Sequence, residues 1–123
     1  MRYLGIDFGT KRIGLAVGDD ELKIVSPLCV VADLAKVIDI IKTEDIEKIV
    51  IGNPVTMRSE DGEMVGQVAV FVKSIQDLTD LEVVLVDERL SSKSADVLLG
   101  KRDKANRDAV AAMVILQTYL DNL

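Results

Sequence analysis

The sequence predicts an α/β fold, a five-stranded mixed sheet of three antiparallel strands followed by parallel crossovers, flanked by helices. Three observations carry that prediction. Residues 2–31 alternate apolar and polar side chains with the two-residue period of strands and are broken twice by Gly-containing turns. Residues 48–52 and 82–86 are short, nearly continuous apolar runs, as strands buried on both faces are. Each of these runs is preceded by a stretch whose apolar residues recur at helical spacing. With 123 residues, 49% of them hydrophobic and 29% charged, the chain has the size of one domain, residues 1–123. Its apolar content can offset the entropy of ordering the backbone.

Taken in order, Arg2 to Phe8 reads as a first strand, Gly9-Thr10-Lys11 as a tight turn, and Arg12 to Val17 as a second strand returning antiparallel. Gly18-Asp19-Asp20 turns the chain into a third strand, Lys23 to Val31, whose Pro27 restricts it to an edge or a bulge. Asp33 is a candidate N-cap for a helix carrying Leu34, Val37, Ile38 and Ile41 on one side. Lys48 to Gly52 is the fourth strand. Asn53 to Glu63, with Pro54 and Gly62 as breakers, has no period and reads as a mobile loop. Val65, Val68, Ala69, Val72 and Ile75 give a second helix from Met64 to Leu78, and Glu82 to Val86 is the fifth strand. Ser91 or Ser92 can cap a short helix ending at Leu99 before Gly100, and Asn106 can cap a last one reaching about Asp121. This order of elements matches the ribonuclease H-like fold, which by itself does not assign an activity.

Composition removes several chemistries. With no His and one Cys, the chain cannot assemble a His-assisted nucleophile, a His/Cys zinc cage or an internal disulfide. Cys29, in the run Leu28-Cys29-Val30-Val31, reads as a small buried hydrophobe. The longest apolar run, Ala109 to Leu116, is far shorter than the roughly 20 residues of a membrane-spanning helix. The first residues lack a secretory pattern, so a cytoplasmic location without membrane contact is expected. The net charge of −6 opposes nonspecific wrapping of nucleic acid, although screening makes a local basic patch count for more than the total.

Carboxylates stand where a fold would not choose them. Asp7 lies inside the apolar strand Leu4-Gly5-Ile6-Asp7-Phe8, on the face shared with Gly5 and Tyr3, and Gly9 beside it leaves room for a ligand. The competing reading is a turn residue opening the hairpin. Asp87 and Glu88 follow the fifth strand, at the carboxyl end where open α/β sheets place ligands. A regular strand points them to opposite faces, so one of the two joins Asp7, unless both are solvated partners of Arg89. Asp108 lies on the last helix in line with Ala111, Ala112, Ile115 and Tyr119, which turns it inward. Its alternative is a surface role at the positive end of the helix dipole. Acids converging at one sheet end repel one another unless a cation is present, and Mg²⁺ or Mn²⁺ suits such oxygen donors. Two such ions can hydrolyse a phosphodiester without histidine.

The sequence resembles the YqgF (RuvX) family, described as Holliday-junction resolvases and as nucleases trimming the 5′ end of pre-16S ribosomal RNA. The resemblance spans essentially the whole chain. It is carried by Gly5-Ile6-Asp7-Phe8-Gly9-Thr10-Lys11-Arg12-Ile13-Gly14, Gly52-Asn53-Pro54, Asp87-Glu88-Arg89-Leu90-Ser91, and Asp108-Ala109-Val110-Ala111-Ala112 leading to Ile115-Leu116-Gln117-Thr118-Tyr119-Leu120. It implies that Asp7, Glu88 and Asp108 form the acidic site holding Mg²⁺ or Mn²⁺, which favours Glu88 over Asp87. The chain departs from the family pattern at Asn53, in Val55 to Glu63 and at Arg107.

Lys11, Arg12, Arg58, Arg89, Lys93, Lys101, Arg102, Lys104 and Arg107 fall in turns, loops or helix starts where they can surround that sheet end and hold a phosphate backbone. About half of them are expected to be ordinary solvated surface. With 3% aromatic residues and no Trp, recognition rests on backbone and shape. The expected partner is nucleic acid, pre-rRNA or branched DNA, bound by a monomer or weak homodimer. Symmetric junction cutting would require two sites. Two readings compete with a nuclease. One is a nucleotide-phosphate site, because Asp7-Phe8-Gly9-Thr10 also resembles the phosphate loop of actin-like ATPases. The other is a nucleic-acid-binding module without activity.

Overall fold

The computed structural model describes residues 1–9, 11–53, 59–87 and 104–123, with side chains for all of these except 53, 59–65, 87 and 104–107. Five strands form one sheet: β1 (Arg2–Phe8), β2 (Ile13–Asp19), β3 (Val25–Val31), β4 (Lys48–Asn53) and β5 (Glu82–Asp87), in the order β3-β2-β1-β4-β5. β1, β2 and β3 are an antiparallel meander, whereas β4 pairs parallel with both β1 and β5. The helices are α1 (Leu34–Thr43), α2 (Ser59–Thr79) and α3 (Lys104–Asp121). This is the mixed five-stranded architecture that the pattern predicts. Pro27 sits on the edge strand β3, where the pairing with β2 slips between Leu15 and Ala16, so its missing N–H breaks no regular ladder. Among the described residues no helix is long and apolar enough to cross a membrane.

Strand alternation divides the core between two faces. Leu4, Ile6, Ile13, Leu15, Ile49 and Ile51 point to one side and meet Val37 and Ile41 of α1 and Val68, Phe71 and Ile75 of α2. Tyr3 and Val50 point to the other side and meet Ile115, Leu116 and Leu120 of α3. Asp33 caps α1 as expected, its carboxylate accepting the Lys36 N–H at 3.0 Å. Phe8, at the end of β1, packs against Phe71 of α2 with ring centroids 4.7 Å apart and the rings tilted by 44°, which ties down the strand end next to Asp7.

Several element limits differ from the sequence reading: β4, β5 and α2 each end one residue later than expected, at Asn53, Asp87 and Thr79. β2 starts at Ile13, one residue after Arg12, and runs on to Asp19; β3 starts at Val25 rather than Lys23, which lies in the turn with φ 54°. The larger difference is in α2, which begins at Ser59, so that residues 59–63 are helical although their composition reads as a loop. Those positions carry Ser, Glu, Asp, Gly and Glu, a first turn whose acids favour the positive helix end but whose lack of apolar residues hides it from a periodicity search. α3 likewise begins at Lys104, ahead of the Asn106 cap. The expected mobility at 54–58 and the short helix expected at 91–99 lie outside the described residues.

Candidate active site

Asp7 stands near the carboxyl end of β1, half-buried, on the α3 side of the sheet. Its antiparallel partner across the ladder is Gly14. On the other flank, Ile6 pairs with Ile51 and Gly52 pairs with Val86, so one row of the sheet reads Gly14, Asp7, Gly52, Val86. Glycine thus flanks the carboxylate on both sides. A side chain at Gly14 has no space, because a Cβ built there would overlap the main-chain carbonyl of Asp108. The first turns of α3 therefore rest directly on the backbone of β2, beside Asp7. Gly5 seats the next stretch of the helix in the same way: a Cβ there would come within 2.7 Å of the Leu116 Cβ and 2.8 Å of the Ala112 carbonyl.

The helix starts at Lys104, which leaves no acid in its first turn, and Asp108 lies one turn inside with its side chain 26% exposed. It is therefore not an acid of the helix's first turn. The Arg12 Nε donates to its Oδ2 at 2.9 Å. Two of the three predicted acids, drawn from opposite ends of the chain, are thus brought to one place on the sheet. The third, Glu88, lies outside the described residues, as do Arg58, Arg89, Lys93, Lys101 and Arg102, while Lys104 and Arg107 are placed by backbone only, in the opening turn of α3. Among the described residues no group of three or more His, Cys, Asp or Glu side chains forms a metal cage. Lys11 is exposed in the turn next to Arg12.

One expectation is corrected. Gly9 does not leave room for a ligand, because its missing Cβ lies 2.6 Å from the Arg12 carbonyl, so the turn's own backbone fills the space. Three glycines matter more, Gly5, Gly14 and Gly18, and their only signal in the sequence is that glycine inside a strand marks close backbone approach. Charge is also distributed more informatively than its total. At the opposite end of the sheet, the starts of β1, β4 and β5 and the ends of β2 and the helices hold ten acidic residues against four basic ones. That excess of six equals the net charge of the chain, so the remainder, Asp7 and Asp108 included, is neutral overall. The acidic total therefore does not argue against a polyanion approaching the Asp7 end.

A family model described as "RuvX: Holliday junction resolvase" matches residues 1–122. The chain belongs to the RuvX family. Relatives of this RuvX chain include a protein of Sulfurihydrogenibium sp. (strain YO3AOP1), 40% identical over 99% of this chain and 91% of that one, and one of Endomicrobium trichonymphae, 38% identical over 98% and 95%. Both carry the name "Putative pre-16S rRNA nuclease". Among solved structures, Thermus thermophilus RuvC in complex with a Holliday junction substrate superposes with a TM-score of 0.66 at 17% identity, covering 99% of this chain and 95% of that one. The Fowlpox virus resolvase bound to Holliday junction DNA gives 0.64 at 11% identity, covering 99% and 98%. These likenesses show that the RuvX chain has the ribonuclease H-like fold of the resolvases.

Proposed function

We propose that this RuvX chain is a metal-dependent nuclease that processes the 5′ end of pre-16S rRNA. The observation that carries the reading is the seating of Asp108 on Gly14, the ladder partner of Asp7, which draws two acids to the carboxyl end of the parallel strands. The names of the relatives supply the substrate. Asp7, Glu88 and Asp108 would hold Mg²⁺ or Mn²⁺. Their donors are hard carboxylate oxygens, and with no His and one Cys in the chain a softer metal has little to bind. Glu88, which lies outside the described residues, is preferred to Asp87 because the family resemblance implies it. When bound, such ions activate a water and stabilise the oxygen that leaves the phosphodiester. The chain's own role is to fix the carboxylates through close helix-on-sheet packing and to hold the backbone with cations. Lys11, Arg12, Arg58, Arg89, Lys101, Arg102, Lys104 and Arg107 are the candidates.

The test is cleavage of a pre-16S RNA 5′ leader and of a four-way DNA junction, with Mn²⁺ or with EDTA. Replacing a group that merely orients a metal ligand costs roughly 10- to 100-fold, so Asp7→Asn, Glu88→Gln and Asp108→Asn, each replacing a ligand, should lose more than about 100-fold in RNA cleavage while staying folded by circular dichroism. Full activity in Asp7→Asn would sink the proposal. The second reading, a Holliday junction resolvase, is favoured by the description of the family model and is borne out if only the junction is cut.

A further inference from the structure

We propose that Arg12 is a latch on the metal site, which holds Asp108 while the site lacks metal and turns to a nucleic-acid phosphate when a divalent ion arrives. The inference rests on the reading of Asp7 and Asp108 as metal ligands. Its observation is the Arg12 Nε bond to Asp108 Oδ2 at 2.9 Å, a guanidinium placed where a metal would need the same carboxylate. The two partners differ in freedom. Asp108 is 26% exposed and its main chain is seated on Gly14, so it stays where it is, whereas Arg12 is 48% exposed and sits in the turn just before β2. A divalent cation on Asp108 repels the guanidinium, and Arg12 is the member able to leave. An exposed pair of this kind is weak, so the latch tunes metal binding rather than blocking it. Once released, the planar fork of donors finds a better partner in a phosphate, which it can bind through two hydrogen bonds. Metal and nucleic acid then favour each other's binding by the same factor, as linkage demands.

The test measures Mn²⁺ affinity from the rise in melting temperature, with no nucleic acid present, for the wild type and for Arg12→Gln, Asp108→Asn and Arg2→Gln. Arg2 pairs with Glu44 at the other end of the sheet and serves as a control. Arg12→Gln should bind Mn²⁺ about two- to fivefold more tightly, as expected for removing a competing exposed ion pair. Arg2→Gln should match the wild type, and Asp108→Asn should lose the response. In a second measurement, fluorescence anisotropy follows a labelled RNA hairpin in saturating Ca²⁺. The slope of log Kd against log salt should be shallower by about one for Arg12→Gln than for the wild type, and the two should agree in EDTA. Equal Mn²⁺ affinity in wild type and Arg12→Gln, with the Asp108→Asn response lost, overturns the latch and leaves the metal site standing. A wild type indifferent to Mn²⁺ overturns the metal site and the latch with it.

Discussion

Leu15 and Gly14 are neighbours in β2, yet they belong to different kinds of packing. Leu15 is fully buried against the α1 and α2 side, one of a dozen large side chains that fill that layer. Gly14 faces α3 with no side chain at all and takes the backbone of Asp108 against its own. The first face is a conventional apolar core, where volume is what counts and some repacking can be absorbed. The second is a close approach of main chain to main chain, with Gly5 and Gly14 as its seats. A side chain has rotamers with which to yield, and a carbonyl pressed on a glycine has none. Asp7 and Asp108 lie on this second face.

That contrast can be broken from either side. The largest loss of stability is expected for Leu15→Ala, about 2–5 kcal/mol by urea unfolding, from lost burial and the cavity left behind. Its Mn²⁺-induced rise in melting temperature should remain, since Asp7 and Asp108 lie on the other face of the sheet. Gly14→Ala adds a single methyl group and should cost less, about 1–3 kcal/mol, but should abolish the Mn²⁺ response because α3 must lift Asp108 away from Asp7. If Leu15→Ala loses the metal response and Gly14→Ala keeps it, the division of labour between the faces is wrong. The smallest effect is expected far from the site on the α3 face. There the Lys48 ammonium lies 5.4 Å from the Tyr119 ring centroid and 3.4 Å from Glu82. Hydrogen bonding to Tyr119, reinforced by Glu82, raises its pKa. A raised amine stabilises the fold while it is protonated, so this contribution is complete below the ordinary lysine value of about 10.4 and fades as pH climbs through the folded value. Lys48→Met should therefore cost less than about 1 kcal/mol at pH 7, with the gap to wild type closing in strong alkali.

The regions of the fold written in side-chain periodicity were legible. Leu4, Ile6 and Phe8 alternate with Tyr3, Gly5 and Asp7, and each set lies on the face that alternation assigns. The Asp33 cap and the run Ile49-Val50-Ile51 of the inner strand β4 were equally clear, because one side chain or one strand is enough to specify them. The helix limits were legible unevenly: α3 ends at Asp121 and α2 one residue past Leu78, close to expectation, whereas the starts of α2 and α3 were missed. α1 and α2 stop before Asp45 and Asp80, which take left-handed φ values of 53° and 58° where glycine is the usual signal. The start of α2 has no apolar stripe to announce it.

From the sequence came which residues are acidic, which strand face Asp7 occupies, the absence of histidine chemistry and the order of the elements. These follow from side-chain identity and from periods of two and 3.6 residues, both local properties of the chain. Only the tertiary structure placed Asp108 over Gly14, gave Asp108 to Arg12, and moved the excess negative charge to the far end of the sheet. Each of these depends on residues remote in sequence meeting in space, and a contact made through an absent side chain leaves no local trace beyond the glycine itself.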